Sequence, residues 1–553
     1  MAGAPLTAAL WRDAVVAVAA ALGTALAIAA GGAAADAVSH AWIGAGLWRL
    51  ICAAAWDRFI HVLPFTAPAA LLVVAALRLL RARAPRLPDP ASSAAVRGAV
   101  LTLALFALMA VGAAADRRHT ADGPSLLLVS IDTLRADRLG AYGYPQPTSP
   151  ALDARLAARG IVFEDVYSQS PKTTPSHMTL FTSLYPSVHG VELWEEGHAG
   201  RVLSPAAHTL AEVLKGAGWD TAAFTGGGNL HRSRGFDHGF DEYRHSGQLA
   251  RALSWLDEHR GHRFFLFFHT YEVHDPYLPA PHWQSEFVRD GSPRLLETVE
   301  RLRKNGGGWD RAHRVFWESV TPGDAADRRT LSALYDAGIR TMDERTLGPL
   351  LDRLETLGLA EDTLVVFTSD HGEAFGEHGA YLHDDLYAGT LRVPLVVRFP
   401  GRVPPGRRVP DRVRLLDVMP TVLELLGVPA PAGLQGRSLA PLLGGGSPAE
   451  SPPAVSEYSN RAIGRTFESV RHGESAYIVD RGAEQLFDLR ADPGEQRNLA
   501  ASVPPVLPAL RGELRSWREA CRTLADRLGP TGPEVAVDAE TAERLKALGY
   551  LGE

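Results

Sequence analysis

The sequence predicts an α/β protein built on a mostly parallel sheet with helices on both faces, a small C-terminal antiparallel subdomain and N-terminal transmembrane helices. Three observations carry this. Long uncharged runs are confined to the first 120 residues. From Ser125 onward short apolar runs alternate with amphipathic helical patterns, and beyond the Gly- and Pro-rich stretch 435–453 the pattern becomes that of short strands. The expected divisions are 1–120, 121–440 and 441–553, the stretch at the last boundary being either a linker or a surface loop. A chain of 553 residues, 46% of them hydrophobic, is too long for one ordinary core and too apolar for disorder.

The first run, 14–35, carries no charge between Asp13 and Asp36 and is long enough to cross about 30 Å of hydrocarbon. Runs 59–76 and 98–115 bring the expected spans to about three. The stretch 41–56, interrupted by Arg49, reads as interfacial or as part of a longer tilted span. One cleaved signal peptide does not account for three separated runs. Arg78, Arg81, Arg83, Arg86 and Arg97 lie between the second and third runs, which the positive-inside rule places in the cytoplasm. The expectation is a multi-pass protein of the cell membrane, membrane-embedded at its N-terminus, with everything after 115 extracytoplasmic. The first 120 residues hold ten arginines against five acids, so the remainder carries −12 within a whole-chain charge of −7. Such an acidic portion argues against nucleic acid as a partner. Cys52 and Cys521 are the only cysteines, which excludes a disulfide scaffold and a cysteine zinc cluster. Any metal must be held by oxygen and imidazole.

In the remaining part, 126–131 reads as a buried parallel strand that delivers Asp132 at its carboxyl end. The segment 150–158 reads as a helix capped by Ser149, with Pro150 in its first position and Gly160 as its stop. Strands follow at 161–166, 221–224, 264–268, 363–367 and 394–399, with helices at 206–214, 248–258 and 328–357. Near the C-terminus, 467–480 and 485–488 suggest an antiparallel sheet, and 511–528 and 542–548 suggest helices.

Ligands of parallel α/β sheets bind beyond the carboxyl ends of the strands, and four polar clusters fall there. They are Ser130-Ile131-Asp132, Thr173-Thr174-Pro175-Ser176-His177, the pair His269 and His274, and Ser369-Asp370-His371-Gly372-Glu373. Singly, each has a bland reading as a helix cap or a salt bridge. Jointly they are what a hard cation takes, carboxylates and imidazole at preformed strand ends with one position left for substrate.

In these motifs the chain resembles the sulfatase family of the alkaline phosphatase superfamily, over about Ser125 to Asn498. The matching residues also include Leu184-Tyr185-Pro186-Ser187-Val188-His189-Gly190, Gly235-Phe236-Asp237, His274-Asp275-Pro276-Tyr277, Arg392-Val393-Pro394-Leu395, Leu486-Phe487-Asp488-Leu489 and Asp492-Pro493-Gly494-Glu495. The resemblance implies an alkaline-phosphatase-like fold. It also implies one divalent metal ion held by Asp132, Asp370 and His371 with Thr173, calcium foremost, with magnesium, manganese or zinc compatible. Thr173 takes the nucleophile position, and His177, His274 and His383 are the other catalytic candidates. The implied substrate is a sulfated or phosphorylated small molecule, glycan or lipid.

Several positions depart from the family pattern. Thr173 stands where a Cys matures to formylglycine, His177 where an Arg closes the signature, and Thr133 where a second Asp is common. Thr225 to Asn229 replace a Lys-x-His pattern, while His383 falls where a substrate-binding Lys or His is found. A threonine nucleophile is similar to that of phosphoethanolamine transferases, glycerol-phosphate polymerising enzymes and nucleotide phosphodiesterases. A transferase acting on lipid or glycan is therefore the alternative enzyme reading, and a catalytically silent binding protein of the same fold is a third.

Thr174 and Pro175 suit the cap and first positions of a helix, whose free N–H groups would face an anion. The expected reaction is in-line attack by Thr173 on sulfur or phosphorus, with His274 and His383 holding the anion and protonating the leaving oxygen. His177, one turn into the helix, suits a supporting role. His189 reads as structural and Gly226-Gly227-Gly228 as a turn. Glu373, Glu377 and His378 read as a solvated loop, and Arg135 with Asp137 as an ion pair fixing the loop after Asp132.

Overall fold

The computed structural model describes residues 123–191, 200–245, 248–305, 309–446, 451–460 and 465–535, all within one compact unit. Among the described residues no helix is long and apolar enough to cross a membrane. The expected fold class is corrected accordingly: transmembrane helices form no part of the described fold, and the runs 14–35, 59–76 and 98–115 lie outside the described residues, as does the helix expected at 542–548.

Among the described residues the central sheet has eight strands: β1 Ser125–Ile131, β2 Ile161–Tyr167, β3 Asp220–Phe224, β4 Glu242–Arg244, β5 Phe264–Thr270, β6 Thr363–Thr368, β7 Leu395–Arg398 and β8 Arg407–Arg414. Their order across the sheet is β8-β2-β7-β6-β1-β5-β3-β4. β1, β5 and β6 are buried along their whole length, which is why they read as continuous apolar runs. Along β1 the side chains alternate between two cores. Leu126 and Leu128 face one, Leu127, Val129 and Ile131 the other. The first core takes in Met178, Leu180 and Phe181 of helix α1, Thr173–Thr182; the second takes in Leu331 and Leu334 of helix α2, Ala325–Met342.

The sheet is mostly parallel, as expected, with one exception: β7 runs antiparallel to both β2 and β6. A parallel neighbour needs a crossover back to the amino end of the strands. After Thr368 the chain instead stays at the carboxyl end, builds a loop and the small hairpin of Ala374–Phe375 and Tyr381–Leu382, and then descends directly as β7. The segment 150–158 is a short helix, Pro150–Leu152, continued by a π-helical turn, Asp153–Ala157. Ser149 does not cap it; its hydroxyl pairs with Asp153 and accepts the N–H of Gly140. Gly160 is required for a close approach rather than for a left-handed stop, since a Cβ there would lie 2.4 Å from the Val397 carbonyl oxygen.

The C-terminal sheet is antiparallel, β9 Ala454–Asn460, β10 Arg465–His472, β11 Ser475–Asp480 and β12 Ala483–Asp488 in sequence order. The helix Leu507–Leu528 buries Leu507, Leu510, Leu514 and Cys521 in the first core. β9 also grips the segment ahead of α1, with the Glu457 N–H on Gln169 O at 2.9 Å and Ser456 Oγ on Ser168 O at 2.5 Å. The C-terminal sheet is thereby part of what positions Thr173.

Candidate active site

Strand register brings the four clusters to one level. Ser130 of β1 is opposite His269 of β5 on one side and Thr368 of β6 on the other. Asp132, the turn after His269 and Ser369-Asp370-His371 therefore leave the sheet together. All of Asp132, Thr173, His177, His269, Asp370 and His371 are buried.

Asp132, Asp370 and His371 offer ligand atoms within 4.8 Å of one another. Each is aimed by its surroundings. Gly226 N–H donates to His269 Nδ1 at 3.2 Å, so that nitrogen is an acceptor and the ring proton lies on Nε2, 3.2 Å from Asp132 Oδ2. Asp132 Oδ1 has no hydrogen-bond partner. Asp370 Oδ1 accepts the N–H groups of Thr133 and His371, at 3.2 and 2.9 Å, while its Oδ2 has no hydrogen-bond partner. His371 Nδ1 donates to Gly372 O at 2.9 Å, which leaves the Nε2 lone pair 3.4 Å from Asp370 Oδ2 and 3.9 Å from Asp132 Oδ1. Two buried carboxylate oxygens and an imidazole lone pair turned toward one point suit a divalent cation, since buried acceptors without a donor are otherwise costly. Burial pushes both carboxyls up, Asp132 to about 6 and, with the charge of Asp132 added, Asp370 to about 8, and burial holds His371 neutral.

Thr133 does not replace the second carboxylate as a side-chain ligand. Its hydroxyl donates to Asp132 O at 2.7 Å, and its φ of 58° is unusual for a β-branched residue. That conformation turns its N–H onto Asp370. Gly372 has to be glycine, because a Cβ would lie 2.1 Å from Gly389 O.

Thr173 is the first residue of α1, with Lys172 as the cap residue, so the expectation that Thr174 and Pro175 take the cap and first positions is off by two residues. Thr173 Oγ1 lies 3.5 Å from His371 Nε2 and interacts with Asp132. The rest of the motif anchors it: Thr174 Oγ1 donates to Asn229 O at 2.9 Å, and Ser176 Oγ to Asp370 O at 2.6 Å. His177 uses both nitrogens internally, Nδ1 toward Thr173 O and Nε2 toward Ser130 Oγ, each at 2.9 Å, and burial pushes it down to about 4.

His274 is the cationic imidazole. Burial opposes its charge, but Asp275 and Asp132 outweigh it and hold it up to about 10. Its Nδ1 donates to Asp275 O at 2.8 Å, and its Nε2 lies 4.0 Å from Asp132 Oδ1. Asp275 is held in turn by His313 and Trp317, at 2.5 and 2.8 Å. His383 packs 4.5 Å from the His371 ring and 5.6 Å from that of His274. Glu373 is fully buried rather than solvated, and Glu377 pairs with Arg135, which also binds Asp137. His189 makes only internal contacts, to Thr179, Pro175 and Val191.

Sequence reasoning missed the placements of Lys172, His313, Trp317 and Asn229. Lys172 is buried beside His383; both amide atoms of fully buried Asn229 lack a hydrogen-bond partner. The one available signal was position: Lys172 precedes the motif directly, and Asn229 ends the stretch standing in for Lys-x-His.

A family profile described as sulfatase matches residues 124–250 and 248–428, and one described as N-sulphoglucosamine sulphohydrolase, C-terminal, matches 376–519. The chain is similar to arylsulfatase K of Xenopus laevis, 36% identical over 34% of this chain and 37% of that protein. It is 27% identical to arylsulfatase K of Homo sapiens over 75% of this chain and 86% of that protein. A solved complex of a protein with its substrate D-glucosamine-2-N,6-O-disulfate shares the fold, with a TM-score of 0.61 and 20% identity over 73% of this chain and 99% of the other.

Proposed function

Since the chain belongs to the sulfatase family, a family of sulfuric ester hydrolases, we propose that it hydrolyses sulfate esters with the Thr173 hydroxyl as nucleophile and a divalent cation held by Asp132, Asp370 and His371. The observation that supports this is the convergence of two donor-free carboxylate oxygens, the His371 lone pair and the Thr173 hydroxyl. The cation, when bound, would lower the pKa of that hydroxyl and offset charge on the anion. Calcium, magnesium, manganese and zinc all suit two carboxylates and one imidazole.

This chain's own residues supply the rest. Thr173, its hydroxyl proton passing to solvent water, forms a bond to sulfur as the ester oxygen–sulfur bond breaks, and the leaving oxygen takes the Nε2 proton of the His274 imidazolium, which solvent later restores. Water then releases the group from Thr173. The substrate is a sulfated small molecule or glycan, as the substrate bound in the similar structure suggests.

A second reading, phosphoryl rather than sulfuryl transfer, is favoured by Thr173 itself, which cannot mature to formylglycine. In that reading release goes to water or to an acceptor hydroxyl. The test is to offer the purified protein an aryl sulfate and an aryl phosphodiester and to look by mass spectrometry for mass added at Thr173. A sulfo-adduct supports the first reading and a phospho-adduct the second. Undiminished turnover in Thr173→Ala removes the nucleophile from both.

A further inference from the structure

A lysine is rarely buried without a partner, and Lys172, immediately ahead of Thr173, is only 6% exposed. Burial opposes its charge while Asp384, with Oδ1 at 2.5 Å, supports it. The ammonium lies 5.1 Å from the centre of the Tyr458 ring, on the strand β9 that grips the same segment. Its remaining polar contact is His383 Nδ1 at 3.2 Å. An ammonium can only donate, so His383 Nδ1 must accept. The single proton of the neutral ring then sits on Nε2, directed away from the ammonium by the arrangement of the ring nitrogens.

The geometry points to Lys172 as a positioning residue that fixes His383 in the Nε2–H tautomer, so that a hydrogen-bond donor and not a lone pair meets the anionic group of the substrate. This rests on the proposed reading of the centre as an ester-cleaving site. No proton leaves His383 in this role, because proton donation to the leaving oxygen belongs to His274.

The test uses the full chain labelled with nitrogen-15 histidine. Ring resonances assigned with His383→Ala report the tautomer directly, whether or not a substrate is known. In the unaltered protein His383 should carry its proton on Nε2; in Lys172→Met the ring should shift to a mixture or to Nδ1–H, and in Lys172→Arg it should stay. In kinetics, Lys172→Met should lower kcat/KM about ten- to a hundred-fold, the range for a charge-assisted hydrogen bond. The factor should be the same for good and poor leaving groups, and Lys172→Met with His383→Ala should lose no more than His383→Ala alone. An Nδ1-protonated ring in the unaltered protein, a ring unmoved by Lys172→Met, or additive losses in the double variant would each overturn the assignment; additivity would mean that Lys172 contacts substrate itself. Failure of the unaltered protein to turn over either ester class would count against the proposed function, while the ring resonances would still decide the role of Lys172.

Discussion

His269 Nε2 lies 3.2 Å from Asp132 Oδ2, and the N–H of Gly226 on its other nitrogen leaves that contact as the only place for the ring proton. His269 thus orients a metal-ligand candidate without itself facing the ligand cluster, in the manner of groups that stand behind a coordination shell. His269→Phe should keep the fold and weaken divalent-cation affinity about 10–100-fold, as read by isothermal titration calorimetry. Unchanged affinity would show that Asp132 is oriented by its strand alone.

Asp132 and Asp370 face each other with carboxyls held above their usual range. In the cation-free protein these two groups bind protons more tightly folded than unfolded, so their own contribution to stability, read as the difference between the unaltered protein and Asp370→Asn, should fall as pH rises from about 4 toward about 8. A saturating cation should remove that fall. Asp370→Asn should raise the Tm of the chelator-treated protein at pH 8 and abolish the further rise on adding cation. Thermal melts with and without chelator across this range check both outcomes.

His177 bridges β1 and the start of α1 through Ser130 and Thr173 O. His177→Ala should cost about 1–3 kcal/mol for the stranded polar groups, with a cavity penalty added. Cation affinity should change little. Urea unfolding and calorimetry separate the two; an affinity loss with intact stability would instead give His177 a direct part in the centre.

Arg471 and Glu495 form a fully buried pair at 2.7 Å; Arg471 also binds Leu386 O, and Glu495 accepts the Ala388 N–H. The pair ties the C-terminal sheet to the loop that begins at His383. Arg471→Met should destabilise by about 3–5 kcal/mol by leaving Glu495 buried without a counter-charge, and adding Glu495→Leu should recover most of that loss. Denaturant unfolding of the single and double variants tests this.

The strands were legible where burial on both faces makes a sequence continuously apolar, as in β1, β5 and β6. The four clusters were legible because each sits at the end of such a run. The direction of β7 was not, since an apolar strand reads alike in either direction and its sense depends on where the preceding loop leaves the chain. The fold class also carried membrane helices that the described structure does not contain.

Asp132, Thr173, Asp370 and His371 could be named from the chain because strand ends and one helix start converge by the nature of the fold. Their protonation and aim were decided elsewhere, by Gly226 on His269, by Gly372 O on His371, and by Lys172 on His383. Those contacts join residues up to 211 positions apart. A single chain shows which donors and acceptors exist, but a hydrogen bond is directional and short-ranged. Which nitrogen carries the proton is therefore settled only when tertiary packing brings the partner to it.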